Sequence, residues 1–235
     1  AKSDIAKALA RTYAENGYNL CLTARKSNEL EKFANDIKIR TQKEVTYAEL
    51  DILDDASHDA FYDALKEKPA GVIIAVGYLG NQDKAERDFE EARKITDTNY
   101  TGVISLLNII ANDFEKRKQG FIIGISSVAG DRGRKNNYIY GAAKAAFTAY
   151  LSGLRNRLCE ANVHVMTVKP GFVATKMTEG LDLPEKLTAL PEEVAEDIFK
   201  AQQKGEDVLY TKWIWRWVMW VIRVIPEWIF KKMSI

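Results

Sequence analysis

The chain has 235 residues, of which 46% are hydrophobic, enough for one domain with a substantial core. Its 34 basic and 33 acidic residues leave a formal net charge of +1, which excludes a general electrostatic attraction to nucleic acid. Two cysteines, Cys21 and Cys159, are too few for a disulfide framework and lack metal-ligand spacing. We interpret both as buried, reduced residues of a cytoplasmic protein and expect no metal site.

Apolar strands and amphipathic helices alternate almost from the first residue. The predicted helices cover 3–17, 27–40, 54–68, most of 87–118, about 138–160 and 191–204. The predicted strands cover 18–24, 44–51, 71–77, 120–125, 163–171 and 207–211. This alternation predicts right-handed βαβ units in a Rossmann-type, doubly wound parallel sheet between two helical layers. One α/β domain would span residues 1–211.

The chain opens in a helix, whereas a doubly wound sheet normally opens with a strand and a glycine-rich turn. We therefore expect roughly ten further residues, holding the first strand and the first glycine of that turn, ahead of Ala1.

A phenol, an ammonium and a hydroxyl fall close together in "SSVAGDRGRKNNYIYGAAKAAF" (126–147). Tyr140 and Lys144 are four residues apart, so a helix places them on one face. Ser127 follows a predicted strand, at the sheet edge where ligands bind in open α/β folds. A neighbouring ammonium favours the phenolate and would lower the pKa of Tyr140. Alone, such a pair is more often an ordinary solvated helix face. Tyr138 has no lysine four residues on, and we expect it to be a substrate-loop or surface residue.

Tyr-x-x-x-Lys with a serine thirteen residues earlier resembles the signature of the short-chain dehydrogenase/reductase family, and the resemblance extends over residues 1–211. It implies an oxidoreductase acting on CH–OH groups, with Tyr140 as general acid and Lys144 tuning it and binding the cofactor ribose. It further implies that Ser127 hydrogen-bonds the substrate oxygen. Asn99, in "DTNYTGV", would help to hold a water that relays protons.

The same resemblance implies NADPH as cofactor. Arg25 stands where NADPH-preferring members receive the 2′-phosphate, and no acidic residue ends that strand to hold a free ribose diol. "KPGFVAT" (169–175) resembles the family segment that holds the nicotinamide amide. The cofactor contacts implied are Ser3, Asp4, Ile5, Arg25, Asp51, Ile52, Gly77, Tyr140, Lys144, Pro170, Gly171, Val173 and Thr175.

Two stretches depart from the family pattern. Asp4 and Ala6 replace the second and third glycines of the phosphate turn, and we expect Lys2 to offset the charge of Asp4 beside a pyrophosphate. Ile74–Gly77 replaces an Asn-Asn-Ala-Gly stretch. These changes indicate a divergent subfamily. The alternative is a cofactor-sensing scaffold on the same fold that has lost its chemistry.

A small basic cluster, Arg132, Arg134 and Lys135, follows Ser127. It is either a solvated loop or a site that attracts an anionic, phosphate-bearing substrate.

The tail at 212–235 contains all five tryptophans and is expected to form an amphipathic helix. Arg216, Arg223 and Pro226 argue against a helix that spans a membrane, which needs about 20 mostly apolar residues. Tryptophan favours the membrane–water interface, so residues 212–230 are expected to contact a membrane surface. Packing against a partner subunit is the alternative.

With this tail, "GYLG" (77–80) and the 126–141 segment, the chain resembles the family branch that reduces decaprenylphosphoryl-2-keto-ribose in cell-envelope synthesis. That resemblance implies the keto group of a polyprenyl-phosphate-linked sugar as substrate. It also implies an enzyme that is peripheral on the inner face of the cell membrane. Helices 87–118 and 138–160 resemble those that pair in family dimers, so a homo-oligomer, dimer or tetramer, is expected. Ketoacyl or steroid ketones are the alternative substrates.

Overall fold

The computed structural model describes residues 1–180 and 182–233. Its strands are β1 (Leu20–Ala24), β2 (Val45–Glu49), β3 (Gly71–Ile74), β4 (Gly120–Ile125), β5 (Val163–Pro170), β6 (Phe172–Val173), β7 (Thr188–Ala189) and β8 (Val208–Thr211). Its α-helices are α1 (Asp4–Glu15), α2 (Glu31–Thr41), α3 (His58–Asp63), α4 (Gln82–Ala85), α5 (Phe89–Thr96), α6 (Gly102–Arg117), α7 (Tyr138–Leu158), α8 (Pro191–Gln203), α9 (Ile214–Val224) and α10 (Glu227–Phe230).

The main strands pair in parallel in two groups. One group is β2–β1 and the other is β3–β4–β5–β8. Helices connect successive strands, as parallel pairing requires. The groups separate between β1 and β3, the position that the strand expected ahead of Ala1 would occupy in a doubly wound order. That additional strand stays a prediction, whereas the parallel α/β architecture is confirmed.

Helices cover both faces of the sheet, which gives the three predicted layers. Adjacent residues of β4 face opposite sides: Ile122 packs in the core formed with α6 and α7, and Ile123 in the core formed with α1 and α8. Both side chains are fully buried, and each such burial stabilises the fold by about 1.5–3 kcal/mol. The strand ends that carry Ser127 and Pro170 are thereby fixed between two packed layers.

The helix predicted over most of 87–118 is interrupted. α5 and α6 are joined by one π-helical turn, Asp97–Thr101. The Asn99 side-chain amide donates to the Ile95 carbonyl at 2.8 Å, the group that would accept from the Asn99 backbone N–H in a regular α-helix. Single π turns of this kind are frequent at functional sites.

Two other predicted elements are shorter than expected. Of the helix predicted over 54–68, only α3 is α-helical. The Lys68 ammonium donates to the Tyr62 carbonyl, which in a longer helix would accept a backbone hydrogen bond. The strand predicted over 71–77 ends at Ile74, because the backbone beyond it turns toward side chains of the site described below.

Both cysteines are exposed, so their expected burial is wrong. Cys21 lies between Leu20 and Leu22 on β1, and the inward face of the strand is taken by Leu22. Cys159 follows the buried Leu158 and begins a short turn whose first two residues are exposed.

The tail folds back onto the body as α9 and α10, broken at Pro226 as expected. Its inner face is Trp215 and Met219, which pack against Val128 and Leu187. Its outer face carries large exposed side chains, namely Trp213, Ile214, Trp217, Trp220, Val221, Val224 and Trp228. No helix of residues 1–180 and 182–233 is long and apolar enough to cross a membrane. Residues 234 and 235 of the predicted tail lie outside the described residues.

Candidate active site

Helix α7 brings the predicted catalytic side chains together. Tyr140 lies in its first turn and Lys144 one turn later, and the Lys144 Nζ lies 5.8 Å from the centre of the Tyr140 ring. Ser127 follows β4 and lies near enough to the phenol to oppose part of the rise in the pKa of Tyr140. The three side chains that the spacing selected therefore share one site at the carboxyl edge of the sheet.

Ser126 and Ser127 have different roles. The Ser126 hydroxyl donates to the Lys144 carbonyl at 3.0 Å and pairs with the Thr148 hydroxyl at 2.7 Å, so it joins the end of β4 to α7. The Ser127 Oγ accepts from the Ala129 N–H at 3.1 Å, which orients it at the start of the following turn. Ser126 thus fixes the position from which Ser127 acts.

Asn99 is fully buried and holds the backbone beside the site. Its Nδ2 donates to the carbonyls of Tyr78 (2.7 Å) and Ile95 (2.8 Å), and its Oδ1 accepts from the Tyr78 N–H at 3.2 Å. Gly77 is closely approached here, since a Cβ would lie 3.6 Å from Asn99 Oδ1 and 3.9 Å from Lys144 Nζ. Both N–H donors of the Asn99 amide are used, so its side chain can offer a water only an acceptor.

Burial shifts the two titratable groups toward their neutral forms. It raises the pKa of Tyr140 to about 12, an effect that the Ser127 hydrogen bond partly opposes. It lowers the pKa of Lys144 to about 8. The Lys144 ammonium donates to the Ile125 carbonyl at 3.1 Å and the Val76 carbonyl at 3.4 Å, and no carboxylate of residues 1–180 and 182–233 pairs with it.

The expectation that Lys144 lowers the pKa of Tyr140 is therefore wrong for the protein alone. Desolvation raises the pKa of the phenol, and the group that opposes this rise is Ser127, whereas the Lys144 ammonium lies 5.8 Å from the ring centre. Tyr140 consequently keeps its proton at neutral pH and can act as a proton donor.

The segment expected at the nicotinamide end of the cofactor rests on the tail. A Cβ at Gly171 would lie 1.9 Å from the Trp215 Nε1, so only glycine allows the indole to pack on this backbone. The same Nε1 donates to the Leu187 carbonyl at 3.0 Å. Val173 is buried in β6, and the Thr175 N–H donates to the Thr178 hydroxyl at 3.1 Å. Sequence spacing gave no sign that a tryptophan of the tail supports this segment.

The phosphate turn is organised around the start of α1. Ser3 caps the helix, its Oγ accepting from the Ala6 N–H at 3.3 Å. The Asp4 carboxylate accepts from the backbone N–H of Lys176 at 2.9 Å, although Lys176 is far from α1 in the sequence. The expectation that Lys2 offsets Asp4 is wrong, because the Lys2 ammonium pairs with Glu29 at 2.7 Å.

The adenine end differs from expectation at Glu49. Arg25 is exposed at the end of β1, but Glu49 of the neighbouring strand accepts from the N–H groups of Lys26 and Ser27, both at 2.7 Å. These hydrogen bonds lower the pKa of Glu49. The parallel register pairs Ala24 with Glu49, so only strand pairing could have revealed this acid.

The other expected adenine and ribose-phosphate contacts lie at or near this edge. Asp51 accepts from the Leu53 N–H at 3.1 Å, and Ile52 is buried in the core, so it can offer only its backbone. Ile5 packs at the margin of the core between α1 and α8.

The basic cluster after Ser127 separates into residues with different roles. The Arg132 guanidinium donates to the carbonyls of Ile222 (2.5 Å) and Ile225 (2.7 Å) at the end of α9 and pairs with Glu227 at 2.8 Å. The Cζ atom of Arg132 lies 3.7 Å from the centre of the Phe230 ring. Arg132 is therefore a cap for the tail, and neither a solvated side chain nor a substrate-binding cation.

Comparison with known proteins identifies the family. A family model described as short chain dehydrogenase matches residues 1–186. An uncharacterized oxidoreductase of Mycobacterium tuberculosis is 34% identical over 235 residues, covering 99% of this chain and 94% of the relative. The chain belongs to the short-chain dehydrogenase family. The predicted oxidoreductase class is confirmed.

Two solved structures show the fold of this short-chain dehydrogenase. One is a short-chain dehydrogenase from Sphingobium yanoikuyae in complex with NADPH, with a TM-score of 0.83 at 23% identity, covering 96% of this chain and 93% of that one. The other is 3-oxoacyl-[acyl-carrier protein] reductase from Brucella melitensis, with a TM-score of 0.77 at 20% identity, covering 88% and 85%. The Rossmann-type fold class is confirmed.

Proposed function

We propose that this short-chain dehydrogenase reduces a ketone to an alcohol with NADPH. The observation that carries the proposal is a protonated Tyr140 facing Ser127, with the buried Lys144 ammonium one turn away. NADPH supplies the hydride when bound. Ser127 hydrogen-bonds the carbonyl oxygen, and Tyr140 protonates the oxygen as charge develops there. A positive Lys144 then stabilises the phenolate that remains.

The residues at the sheet edge fit a dinucleotide with a 2′-phosphate. The start of α1 offers backbone N–H groups to the pyrophosphate, and exposed Arg25 offers a cation near the 2′-position. Gly77 leaves room beside Lys144, where the ribose would lie. The Sphingobium yanoikuyae structure, which contains NADPH, supports this choice of cofactor. The carboxylates of Asp4 and Glu49 oppose it. The second candidate is a cofactor-sensing scaffold that has lost its chemistry, and the altered phosphate turn at Asp4 and Ala6 is the feature that favours it.

For the substrate we propose the keto group of a polyprenyl-phosphate-linked sugar, in cell-envelope synthesis. The support is the aromatic tail, which packs against Val128 beside Ser127 and faces outward with exposed tryptophans. A ketoacyl thioester is the other substrate candidate, and the likeness to a 3-oxoacyl reductase favours it.

We further propose that residues 1–211 form the catalytic unit and that residues 212–230 contact the inner face of the cell membrane. The tail has five cations and one carboxylate, a balance that suits anionic lipids. Pairing through α6 and α7 would give a homo-oligomer.

The test replaces Tyr140 by Phe in the full chain. We expect ketone reduction to fall at least a thousandfold, because the proton donor is gone, while NADPH binding stays within about threefold. Stopped-flow NADPH oxidation measures the first, and fluorescence titration measures the second. Lipid-linked keto-sugars, ketoacyl thioesters and steroid ketones are compared as substrates. More than a tenth of the activity remaining in Tyr140→Phe would refute the catalytic assignment, and no NADPH binding by the unaltered chain would favour the scaffold.

A further inference from the structure

Arg132 and Arg134 lie on the same loop but use their guanidinium groups differently. The donors of Arg132 bond the end of α9, as described above. The Arg134 Nε is shielded from solvent and has no hydrogen-bond partner among residues 1–180 and 182–233. A shielded donor without a partner has lost its hydration without compensation, and a bound acceptor would supply the missing hydrogen bond.

Asp131 is the carboxylate that stabilises the Arg134 cation, and it already has two other partners. Asp131 accepts from the Lys169 ammonium at 2.5 Å and from the Tyr210 hydroxyl at 2.8 Å. Burial lowers the pKa of Arg134, as expected for a guanidinium with too little compensating charge. An additional anion would stabilise this side chain.

The loop that carries Arg134 is joined to the end of β5 and to the tail by two of its other residues. Asp131 connects its loop to Lys169, which directly precedes Pro170 at the end of β5. Arg132, two residues before Arg134, fixes the same loop to the last turn of α9. The loop that carries Arg134 thus connects the catalytic edge to the aromatic tail.

A second shielded atom on this loop has the opposite polarity. The Asn137 Oδ1 is an acceptor, buried without a partner among the described residues. It lies three residues before Tyr140, and the Asn137 N–H donates to the Arg134 carbonyl at 3.1 Å. A phosphate would satisfy the arginine, and a hydroxyl would satisfy the amide oxygen.

We propose that Arg134 and Asn137 form the subsite for the phosphorylated part of the substrate. The Arg134 guanidinium binds a phosphate oxygen, and Asn137 Oδ1 accepts from a sugar hydroxyl. The lipid chain then continues toward the outer face of α9. This inference rests on the reductase function proposed above, and it assigns the residues that distinguish a lipid-phosphate-linked sugar from a neutral ketone.

Three sources could bring a phosphate to Arg134: the lipid-linked substrate, a bilayer headgroup or free phosphate. The test therefore titrates the full chain, saturated with NADPH, with farnesyl phosphate, farnesol and inorganic phosphate, by calorimetry. Sedimentation with phosphatidylglycerol vesicles reports on headgroups separately. We expect farnesyl phosphate to bind at least tenfold more tightly than either of the other two probes.

Arg134→Gln should weaken farnesyl phosphate binding at least tenfold, and Arg134→Lys should weaken it less, because it keeps the charge without the planar fork. Arg40→Gln, which removes an exposed guanidinium on α2, is the matched control and should change nothing. NADPH binding and the melting temperature show that each variant folds. If Arg134→Gln does not fold, Arg134→Lys alone decides.

Unchanged farnesyl phosphate binding in the decisive variant would overturn the subsite. Equal affinity for inorganic phosphate, or loss of vesicle sedimentation in Arg134→Gln, would also overturn it, because the residue would then bind free anions or headgroups. If farnesyl phosphate binding depends on Arg134 but no ketone oxidises NADPH, the subsite holds and the reductase proposal fails.

Discussion

At the scale of single residues, burial determines the direction of the proposed chemistry. It keeps Tyr140 protonated, with a pKa of about 12, which suits a donor in ketone reduction. Alcohol oxidation would need the phenolate, which burial disfavours. Lys144, with a pKa of about 8, is charged at neutral pH but close to losing its proton. The pair is therefore better suited to reduction near or below neutral pH than to oxidation.

A pH profile tests this balance. The charge of Lys144 is present below pH 8 and lost above it, while Tyr140 stays protonated until about pH 12. We expect kcat/KM for NADPH, which reports the free enzyme, to be level below about pH 8 and to fall roughly tenfold per unit above it. Lys144→Arg, which stays charged, should be slower but should lack the fall between pH 8 and 10. A wild-type profile that stays level to pH 10 would contradict the role of Lys144.

Asp4 provides a second prediction at this scale. Its carboxylate lies in the first turn of α1, where backbone N–H groups would bind the pyrophosphate. Asp4→Asn removes the charge but keeps an acceptor for the Lys176 N–H. NADPH should then bind about fivefold more tightly, as one like charge near a phosphate costs on the order of 1 kcal/mol. Fluorescence titration measures this, with Glu15→Gln at the other end of α1 as control. Weaker binding in Asp4→Asn would mean that the carboxylate assists the cofactor.

At the scale of elements, the contact between α9 and the loop after Ser127 can be tested by replacing Arg132. Its guanidinium satisfies two carbonyls at the end of α9, so Arg132→Gln leaves them without that partner. We expect the free energy of unfolding to fall by about 1–3 kcal/mol. Arg40→Gln, which breaks only an exposed pair with Asp36, should change it by less than about 0.5 kcal/mol. Thermal unfolding followed by circular dichroism gives both values, and equal changes would argue against a cap.

Local spacing predicted what lies within one element or at its end. Tyr140 and Lys144 share a helix face, and Ser127 ends a strand, so their meeting follows from periodicity and sheet topology. The π turn at Asn99 was missed because a side-chain hydrogen bond, not an apolar pattern, produces it.

Contacts between distant segments could not be predicted in this way. The Asp4–Lys176 hydrogen bond spans 172 positions, and that of Arg132 with Ile222 spans 90. Likewise, the sequence does not distinguish Trp215 from the other four tryptophans. The structure does, because Trp215 packs on Gly171 and is buried. Such contacts depend on how whole elements pack, which residue spacing does not encode.

At the scale of the whole molecule, the positive charge is concentrated in the tail. Residues 212–235 carry five cations and one carboxylate in a chain whose net charge is only +1, so the remainder is net negative. An anionic bilayer would attract the tail and repel the rest of the chain. Removing the tail would also uncover Val128 and Gly171, so its surface role must be tested by substitution.

Three exposed tryptophans allow that test without disturbing the packed face. Trp217, Trp220 and Trp228 are 58%, 60% and 65% exposed. The triple variant Trp217→Ser, Trp220→Ser, Trp228→Ser therefore keeps the buried Trp215 and Met219 in place. We expect sedimentation with phosphatidylglycerol vesicles to fall at least tenfold, because the aromatic anchors of the interface are lost.

Reduction of a small soluble ketone should stay within about twofold, since these side chains face away from Val128. Phe89→Ser, at an equally exposed aromatic residue of α5, is the control and should sediment like the wild type. If the triple variant still binds vesicles but changes from dimer to monomer in light scattering, the exposed face is a subunit interface and the membrane proposal fails.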